Sequence, residues 1–482
     1  MFHVKHRSAG PEPATADAAD TASSSAFAPG VADLESDRDR PAGEETDVSD
    51  APQVKGNRLD PWLDNYAARA HGLRASETRS LFAVASRPEV VSLAGGMPNL
   101  KDLPLDELAE ATARMIRKDG GRALQYGNGQ GLPALREWIP QVMMLEGINA
   151  DPDDVVVTTG SQQALDLISQ IFINPGDVVL AEAPSYVGAL GTFRAYQANV
   201  VHVPMDAEGL VPEELVRVID ELEAEGKPIK FLYTIPNFHN PGGVCLSAER
   251  RPRIAEMCQR RHILVVEDNP YGLLGFDGDP IPAIQSINPD GVVYLGSFSK
   301  TFAPGYRVGW ALAPTAVAAR LILANENALL CPSTFAQLSI NEYLRTYDWY
   351  QQVKEYREMY HKRGRAMQEA LEEYMPMCSW NSPEGGFYTW VKLPEGLDAQ
   401  AMLPRAVTNL VAYVSGTAFY ADGQGRDHMR LSFCYPTPER IREGVQRLAA
   451  VVRAEAELVD MFGLRGDDGA KPSPGEFAWP RV

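Results

Sequence analysis

A chain of 482 residues, 45% hydrophobic and 23% charged, has the size of a soluble enzyme of two or three domains with a substantial core. Its formal charge of -19 argues against a non-specific binder of nucleic acid or anionic membranes, because phosphate contacts need clustered Lys and Arg; a local basic pocket stays compatible with that total. Five scattered cysteines with no C-x-x-C pair argue against a disulfide framework or structural zinc, and the eight histidines form no H-E-x-x-H or clustered-ligand spacing.

In chain order, the first ten residues, MFHVKHRSAG, lead into Pro-, Ala-, Asp- and Ser-rich sequence rather than an apolar stretch. No signal peptide is read, and a cytoplasmic protein is expected. Residues 1–57 carry few large apolar side chains and are expected to form a disordered acidic arm, since they bury too little surface to offset their ordering entropy. Residues 58–110 are read as an N-terminal segment packing on a small C-terminal domain, 111–340 as a large domain, 341–465 as the small one and 466–482 as a flexible tail. No apolar run approaches the ~20 residues that a membrane-spanning helix needs.

Between Val155 and Leu312, short β-branched runs alternate with helical stretches. The runs are VVVTT (155–159), VVLAE (178–182), VVHV (200–203), IKFLYT (229–234), ILVVE (263–267), VVYLG (292–296) and RVGWAL (307–312). Near-continuous apolar runs of this length suit strands buried on both faces, so they predict an α/β domain with a mostly parallel, seven-stranded sheet flanked by helices such as 161–172 and 247–261. After Pro314 comes a long helical region, then FYTWVKL (387–393), VAYVSG (411–416) and MRLSF (429–433), with a helix over 437–459. That pattern predicts a smaller α+β domain.

Polar residues gather where the runs end, and in an open α/β sheet ligands bind outside the carboxyl ends of the strands. Ser161 opens a helix whose N–H groups and dipole suit an anion such as phosphate; an ordinary N-cap reads the same way. Asp268 ends ILVVED, and a carboxylate there needs a partner, which a protonated pyridine nitrogen or a plain salt bridge supplies. Lys300 ends the run VVYLGSFSK, with Arg307 seven residues on. A nearby cation and little water favour a neutral, nucleophilic amine, and the Arg fork suits phosphate oxygens; a lone lysine after a strand is otherwise simply solvated. Asn240, in PNFHNPGG (236–243), lies on a rigid loop, where its amide can donate to a phenolate or carboxylate or merely close a turn.

Seven segments in order carry a resemblance: SLAGGMPN (92–99), LQYGNGQGLPALR (124–136), GSQQALDL (160–167), NPGG (240–243), EDNPYG (267–272), SFSKTFAPGYRVGW (297–310) and RLSF (430–433). Over residues 70–460 the chain resembles the fold-type I pyridoxal-phosphate enzymes, specifically the class I/II aminotransferases of the 2-aminoadipate and kynurenine branch. The resemblance implies that Lys300 carries pyridoxal 5'-phosphate as a Schiff base and then moves a proton between Cα and C4′. It implies that Asp268 keeps the pyridine nitrogen protonated, making the ring an electron sink. Asn240 and Tyr271 would bind the ring's 3-oxygen, and Tyr186 would stack on its face. Ser161, Gln162, Ser297, Ser299 and Arg307 would cradle the phosphate, and Tyr126 would reach the phosphate of the neighbouring subunit in a homodimer with shared active sites. Arg430, with Asn240 and the backbone near Gly96, would clamp the substrate α-carboxylate. Arg79 would meet the side-chain carboxylate of a 2-aminoadipate-like substrate. On the residues alone, Tyr186 also reads as a core aromatic, Tyr126 as intrachain packing and Arg79 as a solvated helix arginine. One departure is Gly242, where the family usually has Thr, which is expected to loosen that loop.

The function expected is therefore transfer of the amino group of an aromatic, branched-chain or 2-aminoadipate-like L-amino acid to a 2-oxo acid, with 2-oxoglutarate as acceptor and no metal, nucleic-acid or membrane partner. A pyridoxal-phosphate lyase or decarboxylase is the alternative, because sequence does not fix which Cα bond stands perpendicular to the ring. A transcriptional regulator of the same family would need a winged helix–turn–helix ahead of the domain, and the acidic residues 1–57 lack its apolar periodicity. The GNGQG segment is no dinucleotide fingerprint, since Leu132 takes the third glycine's place.

Overall fold

The computed structural model describes residues 60–71, 73, 87–101 and 103–462; the arm (1–57), the tail (466–482) and Arg79 lie outside them. The chain divides into two units, Met1–Asp64 and Asn65–Val482. In the first, the Trp62 amide donates to Asp60 Oδ1 at 3.0 Å. The second holds the strands and the site described below.

Strand β1 (Val91–Ser92) comes before the main sheet. All seven apolar runs then form strands: β2 (Val155–Thr158), β3 (Val178–Ala183), β4 (Asn199–Asp206), β6 (Ile229–Thr234), β7 (Leu264–Asp268), β8 (Val292–Ser297) and β9 (Gly309–Leu312). An eighth, β5 (Gly209–Leu210), corrects the expected seven. It is a two-residue return on β4, with Met205 opposite Leu210 and Asp206 opposite Gly209, too short to show a period in sequence. The sheet order is β2-β9-β8-β7-β6-β3-β4-β5. Strands β8, β7, β6, β3 and β4 run parallel, and β9 is antiparallel to both β8 and β2. Two reversals across β9 leave β2 parallel to β8, so the carboxyl ends of β2, β3, β6, β7 and β8 share one edge.

Helices cover the sheet because their apolar faces match it. Ser161–Phe172 buries Ala164, Leu165, Leu167 and Ile168, which join Phe193, Phe231 and Val266 in one core layer. Each fully buried Leu, Ile, Val or Phe in this layer stabilises the fold by about 1.5–3 kcal/mol. The helix expected over 247–261 is shorter, Arg250–Arg260, and buries Ile254, Ala255 and Cys258 on the opposite face of the sheet with Val265 and Val292.

Strands β10 (Ser379–Trp380), β11 (Tyr388–Lys392), β13 (Val414–Ser415) and β14 (His428–Ser432) form the smaller sheet. It is antiparallel, in the order β10-β11-β14-β13. The run 411–416 is not one strand. Val411–Ala412 (β12) pairs in parallel with β1, and Val414–Ser415 pairs with β14. Between them Tyr413 is fully buried and its hydroxyl donates to the Ala399 carbonyl at 2.6 Å. The chain changes partner at that residue without breaking its apolar pattern. The helix Pro438–Phe462 packs Ile441, Val445 and Leu448 against this sheet with Val91 and Leu93. Among the described residues, no helix is long and apolar enough to cross a membrane.

Candidate active site

The shared strand edge opens onto a cavity of about 370 Å³. Ser161, Gln162, Tyr186, Asn240, Asp268, Tyr271, Ser297, Ser299, Lys300, Arg307, Arg430 and Gly96 all line it. Tyr126 does not: it is 77% exposed, outside the cavity of its own chain.

Lys300 lies three residues past the end of β8. Its Nζ donates to the Gly96 carbonyl at 2.9 Å. Burial drives its pKa down to about 8, and the Arg430 and Arg307 charges push the same way, against an opposing effect of Cys434. The neutral amine is thus accessible near neutral pH.

Asp268, at the end of β7, accepts a hydrogen bond on Oδ2 from the Tyr233 hydroxyl at 2.8 Å. Its Oδ1 is buried and has no partner. Burial raises the carboxyl to about 6, with Tyr233 opposing. A buried carboxylate oxygen left unsatisfied is costly, so this position calls for an N–H from a bound group. A protonated ring nitrogen fits that need.

The opposite end of the cavity is an anion cradle. The helix Ser161–Phe172 points its first-turn N–H groups into it. Its cap is Gly160 at φ 81°, not Ser161, which instead occupies the first helical position. A side chain at 160 would run into the Arg307 guanidinium, so glycine serves both the backbone angle and the approach. Ser297 Oγ donates to Ser299 Oγ at 2.9 Å, and Arg307 Nη1 reaches Ser299 Oγ at 3.3 Å while Nη2 reaches the Thr159 carbonyl at 3.2 Å. Hydroxyls, a guanidinium and a helix terminus together suit a phosphate.

Tyr186, just before the helix Val187–Ala195, places its hydroxyl 3.3 Å from Gln162 Oε1, and burial raises its pKa to about 12. Tyr271 faces Tyr388, oxygen to oxygen, at 3.3 Å, and burial raises both phenols, so both stay protonated donors.

Arg430, in the middle of β14, is 2% exposed. Its Nη1 donates to Asn240 Oδ1 at 2.8 Å and its Nη2 to the Ala94 carbonyl at 2.6 Å, while Nε has no partner. The guanidinium lies over the rings of Tyr388 at 4.2 Å and Phe419 at 4.9 Å. Both aromatics and Tyr233 escape notice in the sequence, since Tyr388 and Tyr233 on strands and Phe419 at the end of a 3-10 turn all read as core packing.

The loop expected to be loosened by Gly242 is held by other means. The Gly242 amide donates to His239 Nδ1 at 3.1 Å, which leaves the proton on Nε2, 3.1 Å from Glu182 Oε2 and out of line for a full hydrogen bond. A Cβ at 242 would lie 3.0 Å from Nδ1, so glycine lets the imidazole close on the loop. No group of three or more His, Cys, Asp or Glu that could hold a metal occurs among the described residues.

A lysine just past a strand end, a buried carboxylate with one oxygen unpartnered and an anion cradle line one cavity, a site that suits a phosphorylated pyridine aldehyde. Comparison with known proteins agrees. The profile of the family "Aminotransferase class I and II" matches residues 88–448. The chain is 41% identical over 396 residues to aromatic-amino-acid aminotransferase 1 of Thermococcus litoralis, covering 81% of this chain and 94% of that protein. It is 36% identical to the 2-aminoadipate transaminase of Thermus thermophilus, over 83% of this chain and 99% of the relative. Among solved structures, a kynurenine aminotransferase of Pyrococcus horikoshii in complex with PMP superposes with a TM-score of 0.79 at 39% identity, covering 83% of this chain and 99% of that one. The chain belongs to the class I and II aminotransferases and is a pyridoxal-phosphate-dependent aminotransferase.

Proposed function

We propose that the chain moves the amino group of an aromatic or branched-chain L-amino acid to 2-oxoglutarate. The observation that carries the side-chain preference is the apolar lining of the cavity. Its cations among the described residues are Lys300, Arg307 and Arg430, and each has another task. Its remaining walls include Met97, Leu165, Val187, Ile235, Pro270 and Pro304. Apolar walls favour a substrate side chain of the same kind. Arg79, which would meet a distal carboxylate, lies outside the described residues.

In this reading Lys300 binds pyridoxal 5'-phosphate covalently, Asp268 faces the ring nitrogen, and Asn240 and Tyr271 donate to the 3-oxygen. Ser161, Gln162, Ser297, Ser299 and Arg307 hold the phosphate, and Tyr186 covers one ring face. When bound, the cofactor supplies an electron-poor ring that withdraws charge from the substrate Cα. Arg430 takes the α-carboxylate in its planar fork, with the backbone near Gly96 alongside. Asn240 Nδ2 stays available because Oδ1 is already bonded to Arg430. Lys300, once displaced by the amino acid, takes the Cα proton as a neutral amine. Burial and the two arginines make that neutral form accessible.

The active form is proposed to be a homodimer in which Tyr126 reaches the neighbour's phosphate. Its exposure, beside exposed Leu124, supports that reading. A donor panel with 2-oxoglutarate tests the substrate assignment: phenylalanine, tyrosine and leucine should exceed 2-aminoadipate in kcat/KM. A preference for 2-aminoadipate would overturn it.

A further inference from the structure

A run of buried amides lies behind the site. Arg251 Nη2 donates to Asn237 Oδ1 at 2.6 Å, Asn237 Nδ2 to Asn269 Oδ1 at 3.0 Å, and Asn269 Nδ2 to Glu146 Oε1 at 2.6 Å. The Tyr294 hydroxyl closes the run on Glu146 Oε2 at 2.7 Å. All five side chains are at most 5% exposed. Arg251 is fixed in turn on the carbonyls of Leu246 and Pro282 at 3.1 and 2.8 Å. The three donors between Arg251 and Glu146 point the same way, from a buried guanidinium to a buried carboxylate, which sets the orientation of both amides. Gly272 makes room for it, since a side chain there would run into Glu146 and Asn269.

The run lines up with the site in sequence. Asn237 lies three residues before Asn240, and Asn269 falls between Asp268 and Tyr271. The two loops that carry the ring-facing side chains are therefore joined by the buried Asn237–Asn269 hydrogen bond, beyond the pairing of the strands that precede them.

We propose that the Asn237–Asn269–Glu146 relay is a positioning device: it couples the Asn240 loop to the Asp268–Tyr271 loop, so that both edges of the cofactor ring are held in one geometry. The proposal rests on the reading of Asp268, Asn240 and Tyr271 as ring contacts. Fixed amide dipoles resist reorientation better than water would, and a small misplacement of reacting groups lowers the rate steeply.

The test uses the cofactor-loaded protein. Asn269→Ala is expected to raise the dissociation constant of pyridoxal phosphate about ten-fold, as loss of a buried hydrogen bond does. It should lower kcat more than it raises KM for the amino donor. It should also move the pH midpoint of the bound cofactor's visible absorbance by about one pH unit. Asn237→Ala should do the same, and the double variant should lose little beyond the worse single one. Glu146→Gln keeps an oxygen for Asn269 and should stay within about two-fold of wild type, while Glu146→Ala should match Asn269→Ala. These two variants carry the test if Asn269→Ala does not fold. The relay is refuted if the variants lower only the melting temperature, if the two Asn effects add in full, or if Glu146→Gln and Glu146→Ala behave alike. Wild-type protein that takes no reductive label at Lys300 refutes the site reading instead; a labelled wild type with indifferent variants refutes the relay alone.

Discussion

Replacing Asp268 by Asn should make the cofactor-free protein less sensitive to pH while removing its hold on the cofactor. Burial lifts this carboxyl from its ordinary value of 3.8 to about 6, against the Tyr233 hydroxyl, which favours the ionised form. A carboxyl raised by folding contributes stability below its unfolded pKa and loses it as pH rises through the folded one. The gap of about two pH units, at about 1.4 kcal/mol each, corresponds to about 3 kcal/mol, of which roughly half is lost between pH 5 and pH 8. The amide introduced by Asp268→Asn does not titrate, so the stability difference between variant and wild type should move by about 1.5 kcal/mol in favour of the variant over that range. Urea unfolding of both apoproteins at pH 5 and pH 8 reads this directly. Loaded with pyridoxal phosphate, the order should reverse, because a ring N–H then meets Asp268 Oδ1. Parallel pH profiles for the two apoproteins would refute the reasoning, as would equal cofactor affinity.

Three further outcomes follow from the same geometry. Arg430→Lys keeps the charge but loses the fork, and kcat/KM for the amino donor should fall about 100-fold, mostly through KM; an unchanged KM removes Arg430 from the clamp. The rate at which the apoprotein captures pyridoxal phosphate should rise with pH to a plateau with a midpoint near 8, as Lys300 loses its proton; a midpoint near that of free lysine contradicts its burial beside Arg430 and Arg307. Tyr126→Phe should raise the cofactor dissociation constant about ten-fold without altering the protein's sedimentation. Wild-type affinity in that variant would place Tyr126 outside any phosphate site.

Most of the large sheet was legible because strands buried on both faces must be apolar along their whole length; β4, only half-buried, stood out by its β-branched run alone. Strand β5 was not, since two residues show no period. The partner switch at Tyr413 was hidden because both halves of 411–416 bury the same kind of side chain. Strand-tip residues such as Lys300 and Asp268 declared themselves by breaking an apolar run with a charge. Tyr388 and Phe419 did not, because an aromatic flanking Arg430 has no local mark that separates it from core packing. Gly160 was read past in favour of Ser161, as a cap is recognised from side-chain oxygens rather than from a backbone angle. The Glu146 relay joins four distant stretches of chain through amides. Nothing local in the sequence signals such a contact.

Lys300 is proposed to form the covalent bond to the cofactor. The purified protein, supplied with pyridoxal phosphate, reduced with borohydride and digested, should carry a phosphopyridoxyl mass on the peptide containing Lys300, and Lys300→Ala should bind the cofactor without acquiring it. A label on a different lysine, or none on wild-type protein that is otherwise active, would contradict the account.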